Sequence, residues 1–177
     1  MTHDHQIQTI RYPGAMRIMH WLVAMLVFVT WPLGMVIKFV CDDIKPDAYL
    51  LHESLGFMAL WLMLARIGIR LTSRVPRSGD ADAMAGMARL VHAGLYLLLI
   101  LMPVSGFLAT NAHGFALVWF DILPVYSPLD KTPGIAPLLS TVHRWSAWIL
   151  FGLLALHLGG VLFHHVLRRD DTLYKML

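Results

Sequence analysis

A single cysteine, Cys41, is present in a chain of 177 residues, so neither an internal disulfide nor a cysteine-ligated iron–sulfur cluster can be built from it. Charge is also scarce. Asp, Glu, Lys and Arg make up 14% of the residues, against about 25% in ordinary soluble domains, too few to dress a water-facing surface. The formal excess of +3 is small and sorted by loop, which excludes a nucleic-acid partner. No repeat or low-complexity segment is found. What the chain has is apolar residue: 58% is hydrophobic and the mean hydropathy is +0.63. These residues are gathered into long runs, as burial in membrane lipid requires. Eleven methionines and six tryptophans suit a soft core around a large cofactor and an interfacial belt.

The runs predict an all-α protein, an integral membrane four-helix bundle forming one domain over 1–177, with spans at about 16–39, 48–71, 90–111 and 142–167. Each is long enough to cross about 30 Å of hydrocarbon. Pro103 and Gly106 predict a kink in the third, which a bundle tolerates. The first span is not a signal peptide. It is longer than a typical signal core, carries His20 near its start and lacks a small-residue cleavage site followed by a soluble domain. Ten of the fourteen basic residues fall in the N-terminal arm, the second connection and the C-terminal tail. The rest are Lys38, Lys45, Lys131 and Arg144. The positive-inside rule therefore predicts a multi-pass protein of the bacterial inner membrane with both termini cytoplasmic. The third connection, about 112–141, holds Trp119, Phe120 and Tyr126 and reads as a periplasmic cap. Residues 76–82 read as a cytoplasmic loop.

A histidine inside a membrane is costly and functional by default. His143 and His157 lie fourteen residues apart on one span, hence on nearly the same face and about 21 Å apart along the axis. The alternating direction of the spans puts His52 beside His143 near the outer face. It puts His20, His92 and His157 near the inner face, with His164 one heptad deeper. His3, His5 and His113 fall in tails or loops and read as solvated. The outer pair is therefore His52 with His143. The inner pair is His157 with either His20 or His92, and spacing leaves that open, since Arg17 and Arg89 each precede the candidate by three residues. Imidazole also suits zinc, copper or nickel. No Asp, Glu or Cys sits at the inner depth, however, and only Glu53 lies beside the outer one, so two stacked haems explain the dispersal better. Two axial imidazoles fill both open iron positions, which favours electron transfer over oxygen binding. Arg66 is a candidate for haem propionates through charge-assisted bonds, against plain snorkelling. His92 and His164 are candidates for quinone or propionate contacts, against packing or interfacial placement. Trp21, Trp61, Trp145 and Trp148 are read as packing against haem or lipid.

The residues so assembled resemble the bacterial cytochrome b561 family, small di-haem membrane proteins that include superoxide oxidase. The matching pieces are Arg17-Ile-Met-His20-Trp21, His52-Glu53-Ser54-Leu55-Gly56, Leu90-Val91-His92 with Leu95-Tyr96, and Val142-His143-Arg144. Leu156-His157, Phe163-His164-His165 and Arg169-Asp170-Asp171-Thr172-Leu173 complete them. The likeness covers nearly the whole chain, apart from a longer N-terminal arm and a distinctive third connection. It implies two haem b groups whose iron is ligated by His20 with His157 and by His52 with His143. It also implies electron exchange with ubiquinone, with periplasmic superoxide as donor and the membrane lipid as surroundings. Lys38, Lys45, Lys131 and Arg144 could attract that anion, opposed by Asp42, Asp43, Asp47, Asp121 and Asp130. Quinone reduction needs protons, for which His92 and His164 are the inner candidates and Glu53 and His113 the outer ones. Two other functions remain open on the sequence. One is a membrane-anchor cytochrome b passing electrons between the quinone pool and a partner dehydrogenase or hydrogenase. The other is a non-enzymatic haem- or metal-binding module.

Overall fold

The computed structural model describes residues 11–73 and 83–177. Among these, four long helices run through the molecule: α1 (Gly14–Val36), α2 (Lys45–Thr72), α3 (Ala83–His113) and α4 (Ala136–Leu162). A 3₁₀ turn, Ile37–Phe39, prolongs α1, and a π-helical segment, Phe163–Arg168, prolongs α4. All four are long and apolar enough to cross a membrane, as the hydrophobic runs predict. Proline opens α2 and α4 (Pro46, Pro137), where a missing N–H costs nothing. Pro32 and Pro103 lie inside α1 and α3, and both helices continue past them.

The ends differ from the sequence expectation. Helix α3 starts seven residues before the predicted span and α4 six residues before it. Hydropathy marks only the stretch that must meet lipid, whereas Ala, Met and Leu at 83–90 and 136–139 go on favouring helix beyond it. The cap accordingly shrinks to the residues between His113 and Ala136. It is not purely irregular: β1 (Val118–Trp119) and β2 (Leu123–Pro124) pair antiparallel, with Val118 opposite Pro124. The expected loop at 76–82, together with His3, His5, Arg74 and Arg77, lies outside the described residues.

One serine of α2 holds the cap down. Ser54 is fully buried; its carbonyl accepts the Trp119 indole N–H at 3.1 Å and its hydroxyl accepts the Phe120 N–H at 2.8 Å. Phe120 and Asp121 turn the ribbon at φ 50° and 59°, a left-handed conformation that a phenylalanine adopts only when its surroundings enforce it. Ser54→Ala strands the Phe120 N–H. The expected cost is about 1–3 kcal/mol, read as a lower unfolding midpoint and faster proteolysis within the cap.

At mid-depth Val23 and Val27 of α1 pack with Met63 of α2, against Leu62, Ile67, Tyr96, Leu99, Ile100 and Leu154. Many large apolar residues point outward, Met25, Phe28, Leu97 and Leu156 among them, the inverse of a soluble surface. Close backbone packing joins α1 to α2, α2 to α3 and α3 to α4, but brings neither α1 nor α2 against α4. On that open side Trp31 bridges to α4. Its indole N–H donates to the Ala147 carbonyl at 2.9 Å, and its ring stacks on Phe151 at 4.8 Å. The bundle therefore has a capped end bearing the ribbon and a termini end where the start of α1 meets the C-terminal tail.

Candidate functional site

At the capped end His52 of α2 faces His143 of α4, with ring centres 6.2 Å apart and planes at 85°. A carbonyl on a neighbouring helix orients each ring. His52 Nδ1 lies 3.1 Å from the Thr30 oxygen of α1, and His143 Nδ1 lies 2.8 Å from the Met102 oxygen of α3. A carbonyl can only accept, so Nδ1 carries the proton in both rings and the Nε2 lone pair is left free.

Both rings also rest on a glycine four residues beyond that carbonyl. A Cβ on Gly34 would sit 2.5 Å from His52 Cε1, and one on Gly106 would sit 2.9 Å from His143 Cε1 and Nδ1. The two sockets, Thr30-Trp31-Pro32-Leu33-Gly34 and Met102-Pro103-Val104-Ser105-Gly106, thus share a carbonyl, a proline and a glycine. Sequence reasoning took Gly106 for part of a kink and passed over Gly34. The available signal was a Pro/Gly pair at the depth of each outer histidine. Beside the pair lies a cleft of about 130 Å³ between α2 and α3, lined in part by Tyr49, Glu53, Phe57, Phe107 and Thr110. The Thr110 hydroxyl donates to Glu53 Oε1 at 2.9 Å.

At the termini end three histidines converge. His20 of α1 lies 6.2 Å from His157 of α4, ring centre to ring centre, and His92 of α3 lies 5.2 Å from His157. His20 Nδ1 is buried without a hydrogen-bond partner, as are Arg17 Nε and the Tyr96 hydroxyl. The Arg66 and Arg70 guanidinium groups lie 5.3 and 5.7 Å from the Tyr96 ring centre. Arg66 is within electrostatic reach of His20, His92 and His157. The C-terminal tail closes this end: Trp21 Nε1 donates to the Met176 carbonyl at 3.1 Å, and Tyr12 N–H donates to Lys175 at 3.0 Å.

The remaining candidates have other partners. His164 Nδ1 pairs with Asp170 at 2.5 Å, whose second oxygen accepts the Thr172 N–H at 2.9 Å. Burial pushes the Asp170 carboxyl up, but the bonds from His164 and Thr172 outweigh it and hold it at about 2. His113 Nε2 meets Ser140 Oγ at 3.0 Å. The Lys131 stem lies against Gly114, which turns at φ 96°. Lys45 is bound to Asp42 at 2.6 Å, a hydrogen bond that lowers the Asp42 pKa and offsets Lys45 as a source of positive potential.

Two imidazoles on opposite sides of one metal ion, with bonds of about 2 Å each, have ring centres about 6 Å apart. The two 6.2 Å pairs meet that spacing, whereas 5.2 Å is too short for a metal in line between His92 and His157. Among the described residues no three or more His, Cys, Asp or Glu groups gather as a compact metal site. The donor set therefore fits a metal that brings its own equatorial ligands.

The family model for prokaryotic cytochrome b561 matches residues 11–177. Several relatives are similar over nearly their full lengths. Cytochrome b561 homolog 2 of Escherichia coli (strain K12) is 32% identical over 173 residues, 94% of this chain and 91% of that protein. The probable superoxide oxidase CybB of Yersinia pestis is 28% identical over 160 residues, 89% of this chain and 90% of that protein. Cytochrome b562 of Cereibacter sphaeroides is 28% identical over 177 residues, 93% of this chain and 96% of that protein.

Proposed function

Because the chain belongs to the prokaryotic cytochrome b561 family, whose members are haem b electron-transfer proteins of bacterial membranes, we propose that it binds two haem b groups and links superoxide to ubiquinone. His52 with His143 holds one group, and His20 with His157 holds the other. The observation that carries this reading is the equal 6.2 Å separation of the two pairs, each drawing one imidazole from α4. When bound, haem b would supply one-electron exchange, and holding it between two histidines would favour that over oxygen binding. The buried, unpartnered Arg17 Nε and Tyr96 hydroxyl, with Arg66 nearby, are donors suited to the acidic substituents of a porphyrin. His92 flanks His157 as a further contact for a propionate or a quinone. The bond to Asp170 makes His164 a weaker candidate for quinone.

The excess of basic residues at the termini end supports a topology with the capped end outside and both termini in the cytoplasm. Lys131 and Arg144 at the capped end then face the compartment from which superoxide would arrive. Two superoxide anions, one ubiquinone and two protons give two oxygen molecules and one ubiquinol. Oxidising superoxide takes no proton from the protein. The Glu53–Thr110 pair beside the capped-end cleft and His92 at the other end are placed to supply protons to quinone.

Steering is testable by charge reversal. Lys131→Glu is expected to slow superoxide oxidation about two- to tenfold at low ionic strength, and the difference should shrink as salt screens it. Stopped-flow rates across a salt series read this, and an unchanged low-salt rate removes the steering role. The function itself is tested on purified protein by optical spectra before and after ubiquinol or a superoxide source. Reduction of a b-type spectrum by both supports the reading. Reduction only in the presence of a stably bound dehydrogenase or hydrogenase favours a membrane anchor, and no b-type spectrum removes the proposal.

A further inference from the structure

The ribbon between α3 and α4 packs on one flank of α2. Ser54, Phe57 and Trp61 fall on a single stripe of that helix, three and seven residues apart from the first. Ser54 takes the Trp119 and Phe120 N–H groups. Phe57 and Trp61 face Trp119, Leu123, Val125 and Tyr126 across a niche of about 380 Å³ lined by apolar and aromatic side chains. Trp61 lies seven residues beyond Ser54, about 10 Å further along the span. The ribbon therefore runs beside the membrane span of α2 rather than beyond its end.

The outward side of the ribbon is apolar as well. Ile122 is 83% exposed, Leu123 55% and Tyr126 92%, with Trp61 beside them at 59%. A patch of this kind marks a binding surface, and here it continues the lipid-facing surface of the bundle. Asp121, the one charged residue from Val118 to Tyr126, sits at the turn next to the Ser54 contact, the outermost of the three and nearest the headgroups. The N–H groups of Phe120, Asp121, Ile122 and Val125 are bonded to Ser54 Oγ and to the carbonyls of Val118, Trp119 and Leu117, and Pro124 has none. Two strands alone still leave open edges, which the hydrocarbon interior does not tolerate. The boundary between headgroups and acyl chains, where tryptophan and tyrosine gather, satisfies both the edges and the apolar side chains.

We propose that the β1–β2 ribbon is a lipid-docking element, seated along α2 at the headgroup–acyl boundary of the capped-end leaflet with Ile122, Leu123 and Tyr126 among phospholipid acyl chains. Acyl chains also fill the niche, since no charged group lines it and the Trp119 N–H is already bonded to Ser54. Leu117, buried at the root of the ribbon, lines the His52–His143 cleft and accepts the Val125 N–H at 2.9 Å. The seat of the ribbon in lipid thus fixes one wall of that cleft. The proposal is independent of the superoxide–quinone reading.

Spin labels test it on full-length protein in vesicles of phosphatidylethanolamine and phosphatidylglycerol. Ile122→Cys and Tyr126→Cys are made in a Cys41→Ser background, with Leu97→Cys as the lipid-facing reference and Asp43→Cys as the water-facing one. Power saturation compares collisions with oxygen, which concentrates in acyl chains, and with a water-soluble nickel chelate. Labels at 122 and 126 should favour oxygen as the label at 97 does, and the label at 43 should favour the chelate. Preference for the chelate at 122 and 126 places the ribbon in water and overturns the proposal. Shielding from both reagents places a protein partner over it and overturns the proposal equally. If a cysteine variant fails to fold, wild-type protein photolabelled with a diazirine dissolved in the bilayer decides. Incorporation between Ile122 and Tyr126 upholds lipid contact, and its absence alongside labelling of α3 at Leu97 overturns it.

Discussion

His143→Ala is expected to remove one of two haem b groups and leave the other. The histidine is the α4 member of the capped-end pair, and its partner His52 sits across a 6.2 Å gap on α2. With one imidazole gone, the other groups lining the cleft are carboxyl, phenol, hydroxyl and hydrocarbon, in Glu53, Tyr49, Thr110 and Phe107. None of them replaces a neutral nitrogen on haem iron at equal strength. Loss of even a group that only orients a ligand costs about 10–100-fold in metal affinity, and loss of the ligand itself should exceed this. Pyridine extraction should fall from two haems per chain to one, and reaction at the capped end should be lost. His157→Ala is the matching test at the termini end, and the double variant should carry none. A full complement of haem in the double variant would refute the ligand assignment outright.

The second large effect is expected from residues that touch no iron. Gly34→Ala places a methyl group 2.5 Å from His52 Cε1, and Gly106→Ala places one 2.9 Å from His143 Cε1. Neither ring can retreat and keep its Nδ1–H on Thr30 or Met102, because each carbonyl lies one helical turn from the glycine in question. The ring must leave its socket, and affinity at the capped end should drop about 10–100-fold, while the termini-end site stays loaded. Gly68→Ala makes the same chemical change where a Cβ meets open space. It should alter nothing but a slight gain in helix stability. Haem stoichiometry during titration of haem into apoprotein separates these cases. Equal affinity in Gly34→Ala and Gly68→Ala would show that the socket does not orient the ligand.

The four helices were legible because a membrane solvent imposes length and hydrophobicity together, and few other folds meet both demands. Their ends were not, since Ala83–Arg89 and Ala136–Leu139 keep helical preference after the hydropathy has ended. The depth pairing of His52 with His143 was legible from direction and rise alone. His20 and His92 were not separable that way, because both start an outward-running span behind an arginine; the resemblance favoured His20, and in the structure their ring centres lie 6.2 and 5.2 Å from that of His157. Gly34 and Gly106 were illegible as site residues for a related reason. A glycine announces its own freedom but not which neighbour uses the vacated space. The hold of Ser54 on the cap spans more than sixty residues of sequence and has no local signature.

Helix α4 supplies one imidazole to each pair, and it is the last of the four to leave the ribosome and enter the bilayer. On the two-haem reading neither cofactor would be clasped before that moment, so loading would be a late event in the life of each molecule. Until a cofactor arrived, the paired imidazoles of α4 and its neighbours would face each other across ring-centre distances of 6.2 Å.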